Sequence, residues 1–159
     1  MTTFDKSDFE TRVRAVQARM AEQGLDVVFC TDPSNMNYLT GYDAWSFYVP
    51  QAVAVSRHHP DPVWLGRGID ANTARMMTYL PEDNVVAYAD SYVQNPTCHP
   101  LDVMAEDLRR RGWGKGVIGV EMDGFYFSPR GYESLKAGLP EARLADATGL
   151  VNWVRAVKS

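Results

Sequence analysis

The amino-acid sequence predicts an α/β fold with a mixed β-sheet of about six strands flanked by helices. Short runs of consecutive apolar residues, which are typical of strands covered on both faces, recur along the chain. Between them lie segments whose apolar residues are three or four positions apart, the spacing of one helix face. Two of the apolar runs are separated only by a turn, which predicts a hairpin. Strands and helices that alternate around one hairpin imply a mixed sheet with helices on its faces.

The predicted strands are the short apolar runs. In chain order they cover residues 27–30, 52–55, 63–65, 85–88, 117–120 and 144–145. Pro50 lies just before the second run, a position that suits the start of a strand. Residues 57–62, rich in histidine and proline, form the turn of the hairpin between the second and third runs. Residues 90–100, with two prolines, form a loop.

The predicted helices alternate with these strands and begin and end at recognisable residues. They cover residues 5–23, 33–40, 69–80, 101–111, 129–138 and 150–159. Asp32 and Pro33, a capping acid followed by proline, begin the second helix, and Gly41 ends it. The apolar face of the third helix is predicted to consist of Ile69, Thr73, Met76, Met77 and Leu80. The last helix runs to Ser159 without a stop signal.

Size and composition favour one ordinary globular domain spanning residues 1–159. Apolar residues make up 45% of the 159 and charged residues 23%, as in typical globular proteins. The net charge of −4 argues against a nucleic-acid partner. No apolar stretch approaches the length of a membrane span, and the N-terminus has no apolar signal core, so no membrane partner and a cytoplasmic location are expected.

The sequence contains no recognisable catalytic or metal-binding constellation, so we predict no catalytic residue and no metal ligand in this chain. His58 and His59 are adjacent in a turn, and His99 lies in a loop. The glycine-rich segment 112–116 precedes a strand, whereas a dinucleotide-binding loop must follow one, so it is interpreted as a helix end and turn. Cys30 is expected to be a buried free thiol.

One segment stands out as a candidate contact surface. Five aromatic residues fall within positions 38–48, in and beside a predicted polar helix. Tyr38 and Phe47 are expected to pack in the core. The residues after the break at Gly41 are the better candidates for a surface that lines a substrate pocket, and they are Tyr42, Asp43, Trp45 and Tyr48.

The same region resembles the N-terminal domains of the creatinase/prolidase family. The pattern P-x-N-x-x-Y-L-T-G is formed by Pro33, Asn35, Tyr38, Leu39, Thr40 and Gly41. Residues 154–159 resemble the R-x-x-K-S segment at which the catalytic "pita-bread" domain of the family begins. Within this metallopeptidase-like family, which includes Xaa-Pro peptidases, three stretches are most similar to ectoine hydrolases, namely residues 41–48, 92–96 and 146–153.

The resemblance implies a division of labour. Such enzymes hold two divalent metal ions in a C-terminal catalytic domain, which is absent from this chain, so no cofactor is expected here. The N-terminal domain helps to form a homodimer and lines the active site, with the segment after Y-L-T-G as the contributor. Residues 42–51 contain no Lys or Arg, which makes an anionic substrate such as creatine doubtful. The alternative is a free-standing α/β binding or interaction module.

Overall fold

The computed structural model describes residues 4–157, and within them the predicted alternation of strands and helices is confirmed. The strands are β1 (Val27–Cys30), β2 (Ala52–Ser56), β3 (Val63–Arg67), β4 (Val85–Tyr88), β5 (Gly116–Val120) and β6 (Ala142–Asp146). The helices are α1 (Lys6–Glu22), α2 (Pro33–Thr40), α3 (Gly68–Met77), α4 (Pro100–Arg110), α5 (Pro129–Gly138) and α6 (Leu150–Ala156).

The strands form one mixed sheet in the order β4-β3-β2-β1-β5-β6. The central strand β1 is antiparallel to β2 and parallel to β5, and β5 is parallel to β6. On the other side, β2 and β3 form the predicted antiparallel hairpin, and β4 runs parallel to β3. The predicted fold class, a mixed sheet of about six strands flanked by helices, is therefore confirmed.

The sheet separates two hydrophobic clusters, one on each face. Alternate residues of β1 point to opposite faces, with Val28 in the cluster beneath α1, α2, α3 and α6 and Phe29 in the cluster beneath α4 and α5. Both faces are covered, which explains why the central strand β1 is apolar at every position. Trp64 and Leu65 divide in the same way on β3.

The helix ends follow from local chemistry. The Asp32 carboxylate accepts hydrogen bonds from the backbone N–H groups of Ser34 at 2.8 Å and Asn35 at 3.2 Å, which caps α2. Gly41 ends that helix with a φ of 82°, a left-handed conformation that favours glycine. Gly112 takes the same conformation after α4, so the interpretation of the glycine-rich segment as a helix end and turn is confirmed.

Two helices differ from their predicted form. The third helix ends at Met77 rather than Leu80, and it buries Ala71 and Ala74, whereas Ile69 and Met76 are exposed. The predicted apolar face of α3 is therefore wrong at Ile69 and Met76, and the two small alanines are the buried residues of the helix. The terminal helix ends at Ala156 rather than continuing to the end of the chain, with Val157 beyond it. Lys158 and Ser159 lie outside the described residues.

Candidate functional site

The candidate site lies at one edge of the sheet, where β1, β5 and β6 have their carboxyl ends. We call this the carboxyl edge and the opposite one the amino edge. Because β2 is antiparallel to β1, with Cys30 opposite Val53, residues 41–51 enter β2 at the carboxyl edge. Residues 121–128, which leave β5, lie there too. In open α/β sheets, ligands bind outside the carboxyl ends of the strands.

Five aromatic rings from these two segments form an exposed cluster, which we call the aromatic patch: Trp45, Phe47, Tyr48, Phe125 and Tyr126. The ring centroids of Trp45 and Phe47 are 5.4 Å apart, and those of Phe47 and Tyr126 are 5.8 Å apart. Phe125 continues the row at 5.3 Å from Tyr126. Trp45 is 83% exposed and Phe125 92% exposed. Large rings this accessible are typical of surfaces that another molecule or domain covers.

A shallow cavity of about 380 Å³ lies within the aromatic patch. Phe47, Tyr48, Phe125 and Tyr126 line it together with Val49, Pro50 and Ser128. Arg67 lies within electrostatic reach of Tyr48, and its guanidinium donates to both carboxylate oxygens of Asp90, at 2.8 and 3.0 Å. These bonds hold the pKa of the Asp90 carboxyl below its usual value. The cavity is therefore mainly aromatic, with a paired charge nearby.

The predicted pocket residues occupy three different environments. Trp45 and Tyr48 are exposed in the aromatic patch, as expected of surface residues. Asp43 is exposed but lines a separate cleft of about 590 Å³ with Tyr38 and the guanidinium groups of Arg12 and Arg155. The structure thus brings Trp45 and Tyr48 together and places Asp43 elsewhere.

Tyr42 is buried, so the expectation that it lies at the surface is wrong. It is only 2% exposed, and its ring packs against that of Trp64 at a centroid distance of 5.2 Å. Burial raises the pKa of the Tyr42 phenol to about 12. The expectation for Phe47 is wrong in the opposite sense, because it is 37% exposed rather than part of the core. Tyr38 is half-buried against the core, as expected.

Sequence analysis missed the second half of the patch. Phe125 and Tyr126 belong to a run of three aromatic residues that begins after residues 121–124, which follow the fifth strand, and this run was the available signal. The third member, Phe127, is buried against Phe29 on the sheet, with ring centroids 6.4 Å apart. Phe127 holds the segment against the sheet. The two preceding residues, Phe125 and Tyr126, are exposed, and Tyr126 contacts Phe47.

A buried carboxylate beneath this edge was also missed. Glu121 accepts hydrogen bonds from the backbone N–H groups of Thr31 at 2.6 Å and Asp32 at 2.8 Å, and from the Asn35 side-chain amide at 2.6 Å. The same Asn35 amide donates to Asn152 on α6 at 2.9 Å. Glu121 therefore joins the ends of β1 and β5 to the first turn of α2. This gives the asparagine of the P-x-N pattern a structural role.

The histidines and cysteines have structural surroundings. His99 Nδ1 accepts from the backbone N–H of Leu101 at 3.1 Å and caps α4, and burial lowers the pKa of the imidazole. Cys30 is fully buried, which confirms the prediction, and burial raises the pKa of its thiol. Among residues 4–157, no group of three or more His, Cys, Asp or Glu side chains is placed to hold a metal ion. The residues that the structure describes therefore do not fit a metal centre.

None of the helices within residues 4–157 has the length and apolar character needed to cross a membrane.

The chain belongs to the family of creatinase/prolidase N-terminal domains, whose family model matches residues 12–157. Among curated proteins it is similar to the ectoine hydrolase of Halomonas elongata, with 49% identity over 157 residues that cover 98% of this chain and 39% of that protein. An uncharacterized hydrolase/peptidase of Sinorhizobium fredii is 41% identical over 156 residues, covering 98% of this chain and 40% of the relative. The chain thus spans about two fifths of the length of these relatives.

A solved structure confirms the fold independently of close sequence similarity. The proline dipeptidase structure from Streptococcus pneumoniae superposes with a TM-score of 0.73 at 20% identity, covering 99% of this chain and 100% of that one. At that identity the likeness concerns the fold alone. The resemblance stated from the P-x-N-x-x-Y-L-T-G pattern is confirmed at the level of the family.

Proposed function

We propose that this chain is the non-catalytic N-terminal domain of a metal-dependent hydrolase that cleaves a C–N bond. Membership of the creatinase/prolidase family and 49% identity to an ectoine hydrolase support this proposal. The chain spans about two fifths of the length of that relative, which supports a separate C-terminal domain in the full-length protein. In this proposal the full-length protein acts in the cytoplasm.

Catalysis belongs to the remaining part of the full-length protein. The described residues of this domain provide no group suited to a metal ion, and the cysteine they bury has a raised thiol pKa. A thiol with a raised pKa is a poor nucleophile because the thiolate is the reactive form. The two divalent metal ions of the proposed mechanism are accordingly held by the C-terminal domain, and this chain contributes no catalytic residue.

The aromatic patch carries the proposal for what this domain contributes. Of the five large rings at the carboxyl edge, Trp45, Tyr48 and Phe125 are between 70% and 92% exposed, and Phe47 and Tyr126 are each 37% exposed. Apolar surface of this kind is stable in a protein when another surface covers it. We assign the patch to the wall of the substrate pocket, completed by a catalytic domain, and to the contact between the subunits of a homodimer.

Among substrates, a compound of the ectoine type is favoured over an Xaa-Pro peptide. The identity of 49% to an ectoine hydrolase far exceeds the 20% identity to the proline dipeptidase. At 20% identity, the similarity supports only a shared fold. The patch residues are aromatic and uncharged, and segment 42–51 has no cation to pair with an anionic substrate. Aromatic faces are suited to bind a cationic or delocalised group through cation–π contact.

Substitution of Trp45 in the full-length protein tests the assignment. Trp45→Ala should raise KM or lower kcat for ectoine while leaving metal content and folding unchanged, because the ring makes no core contact. Met76→Ala is the matched control, since Met76 is equally exposed but lies on α3. Equal kinetics for the two variants would show that the patch takes no part in substrate turnover.

The isolated chain distinguishes an accessory domain from an enzyme. Purified residues 1–159 should hydrolyse neither ectoine nor Xaa-Pro dipeptides in the presence of Mn²⁺ or Zn²⁺. Turnover that a chelator abolishes would contradict the proposal. The alternative, a free-standing interaction module, predicts instead that the gene encodes no metal-binding domain after Ser159.

A further inference from the structure

A group of buried polar side chains lies beneath the aromatic patch. Gln51 is 5% exposed, and within the described part of the chain neither its amide nitrogen nor its amide oxygen has a hydrogen-bond partner. The same holds for the indole Nε1 of Trp64 and for one carboxylate oxygen, Oδ2, of Asp70. Buried polar atoms in folded proteins are almost always bonded to protein or to ordered water.

Two of these side chains, those of Gln51 and Trp64, lie side by side on the same face of the sheet. Ala52 pairs with Leu65, so Gln51 lies opposite Gly66 at the end of the β2–β3 ladder. The Trp64 indole folds over Gly66 so closely that a Cβ there would lie 2.4 Å from two of its ring atoms and 3.2 Å from Cε2, the carbon bonded to Nε1. The indole N–H is therefore beside the position that Gln51 faces.

Asp70 reaches the same region from the first turn of α3. Its carboxylate lies within electrostatic reach of the Tyr42 phenol, and Tyr42 packs on the Trp64 ring at a centroid distance of 5.2 Å. Ser46, which is buried in segment 41–51, lies beside the same phenol. The group thus combines two donors, the Gln51 NH₂ and the Trp64 N–H, with two acceptors, the Gln51 carbonyl and the Asp70 carboxylate.

We propose that Gln51, Trp64 and Asp70 are bridged by ordered internal water and that this polar layer fixes the base of segment 41–51. A buried water makes about three hydrogen bonds, which suits a site with donors and acceptors on several sides. Both ends of segment 41–51 contact this polar layer. Tyr42, at one end, packs on the Trp64 ring, and Gln51, at the other end, is itself part of the layer. Next to Gln51, the Pro50 carbonyl accepts from the Tyr88 hydroxyl at 2.7 Å.

Gln51 is accordingly a positioning residue for Trp45 and Tyr48, which the segment presents between its two fixed ends. Its importance for a pocket rests on the proposed function. The water bridge and its effect on segment 41–51 do not, because both can be measured on the isolated chain. Failure of one therefore leaves the other standing.

The substitution Gln51→Met gives opposite results with and without the bridge. Methionine has a similar shape and no hydrogen-bonding groups. If water bridges the amide, the change removes bonds and leaves Asp70 and Trp64 less satisfied, and the melting temperature should fall by about 3–8 °C. If the amide were simply unsatisfied, the change would remove a cost of burial, and the melting temperature would stay equal or rise. Gln23→Met, at an exposed glutamine after α1, controls for the residue exchange itself.

Nuclear magnetic resonance of the indole groups tests both the water and the positioning. The Trp64 N–H should show a cross-peak to long-lived water, and Gln51→Met should weaken it and shift the Trp45 indole signal. Ile118→Val, a buried change on the other face of the sheet, should lower stability without moving that signal. An absent water cross-peak, or a Trp45 shift no larger than that of Ile118→Val, would overturn the proposal.

Discussion

The two edges of the sheet are built from similar elements but are completed in different ways. At the amino edge, polar side chains form hydrogen bonds and an ion pair with other groups of the same domain. Asp26 accepts from the backbone N–H of Val117 and pairs with Arg57, each at 2.9 Å, and the Gln17 amide donates to the carbonyls of Ser56 at 2.9 Å and His59 at 2.6 Å. At the carboxyl edge, the polar group Glu121 is buried and the outer surface is the aromatic patch.

The amino edge therefore presents a polar surface suited to water, whereas the carboxyl edge presents an apolar surface suited to contact with another molecule or domain. The hairpin turn 57–62 exposes histidine and proline and is fastened by Gln17, so it needs no further cover. Segment 41–51 exposes Trp45 and Tyr48, which would be better placed out of water. An edge that buries its carboxylate among hydrogen-bond donors while its apolar rings are exposed is suited to binding. The following substitutions are arranged from the largest expected effect to the smallest.

Glu121→Ala should destabilise the domain most, by about 3–5 kcal/mol, because it removes the carboxylate and leaves its buried donors unpaired. The backbone N–H groups of Thr31 and Asp32 and the Asn35 amide would all lose a partner. The measurement is the free energy of unfolding in urea. A loss below about 1 kcal/mol would mean that the carboxyl edge does not depend on this buried group.

Tyr42→Ala should destabilise the domain by about 3 kcal/mol, as expected for a large buried ring. Tyr48→Ala, in the same segment but 70% exposed, should change the free energy of unfolding by no more than about 0.5 kcal/mol. The two variants compare, within one segment, how much a buried ring and an exposed ring contribute to the free energy of unfolding. Similar losses for both would contradict the assignment of Tyr48 to an exposed patch.

Asp26→Ala tests the amino edge and should cost about 1–2 kcal/mol, since it removes the acceptor for Val117 and the partner of Arg57. These groups are partly exposed, so water replaces some of the lost bonds, and the cost is smaller than for Glu121. Urea unfolding of the two variants side by side provides the comparison. An equal or larger loss at Asp26 would reverse the proposed ranking of the edges.

His99, which caps the start of α4, should make the free energy of unfolding depend slightly on pH. Burial lowers the pKa of the folded imidazole, so the unfolded chain binds the proton more readily. Stability should therefore be lost as pH falls through the unfolded value near 6.5, towards the folded pKa. His99→Ser, which keeps a capping side chain, should reduce the difference in unfolding free energy between pH 7.5 and pH 5.5. An undiminished difference would assign the pH dependence to other groups.

Local signals in the sequence were enough to predict most of the secondary structure. The end of α2 at Gly41 followed from glycine's tolerance of a left-handed conformation, and its start followed from the cap at Asp32. Prediction was weakest where several apolar residues could face either way. On α3 the larger Ile69 and Met76 were expected inside, yet the helix buries Ala71 and Ala74 and exposes the two larger side chains.

The candidate site was only half predictable. Trp45 and Tyr48 could be proposed from the density of aromatic residues after Gly41, and the family from the P-x-N-x-x-Y-L-T-G pattern. Nothing local distinguished Tyr42, which turns into the core, from Phe47, which turns out. That choice depends on the Trp64 ring, which a different strand places beside Tyr42.

The sequence by itself determined the alternation of strands and helices, the helix caps and the family, because those properties depend on residues close together in the chain. Only the tertiary structure decided which rings meet at the carboxyl edge. Phe47 and Tyr126 come into contact because Phe47 leads into β2 and Tyr126 follows β5, and these two strands flank β1 in the sheet. Glu121 acquires its role for the same reason, since its partners Thr31 and Asn35 belong to a distant part of the sequence.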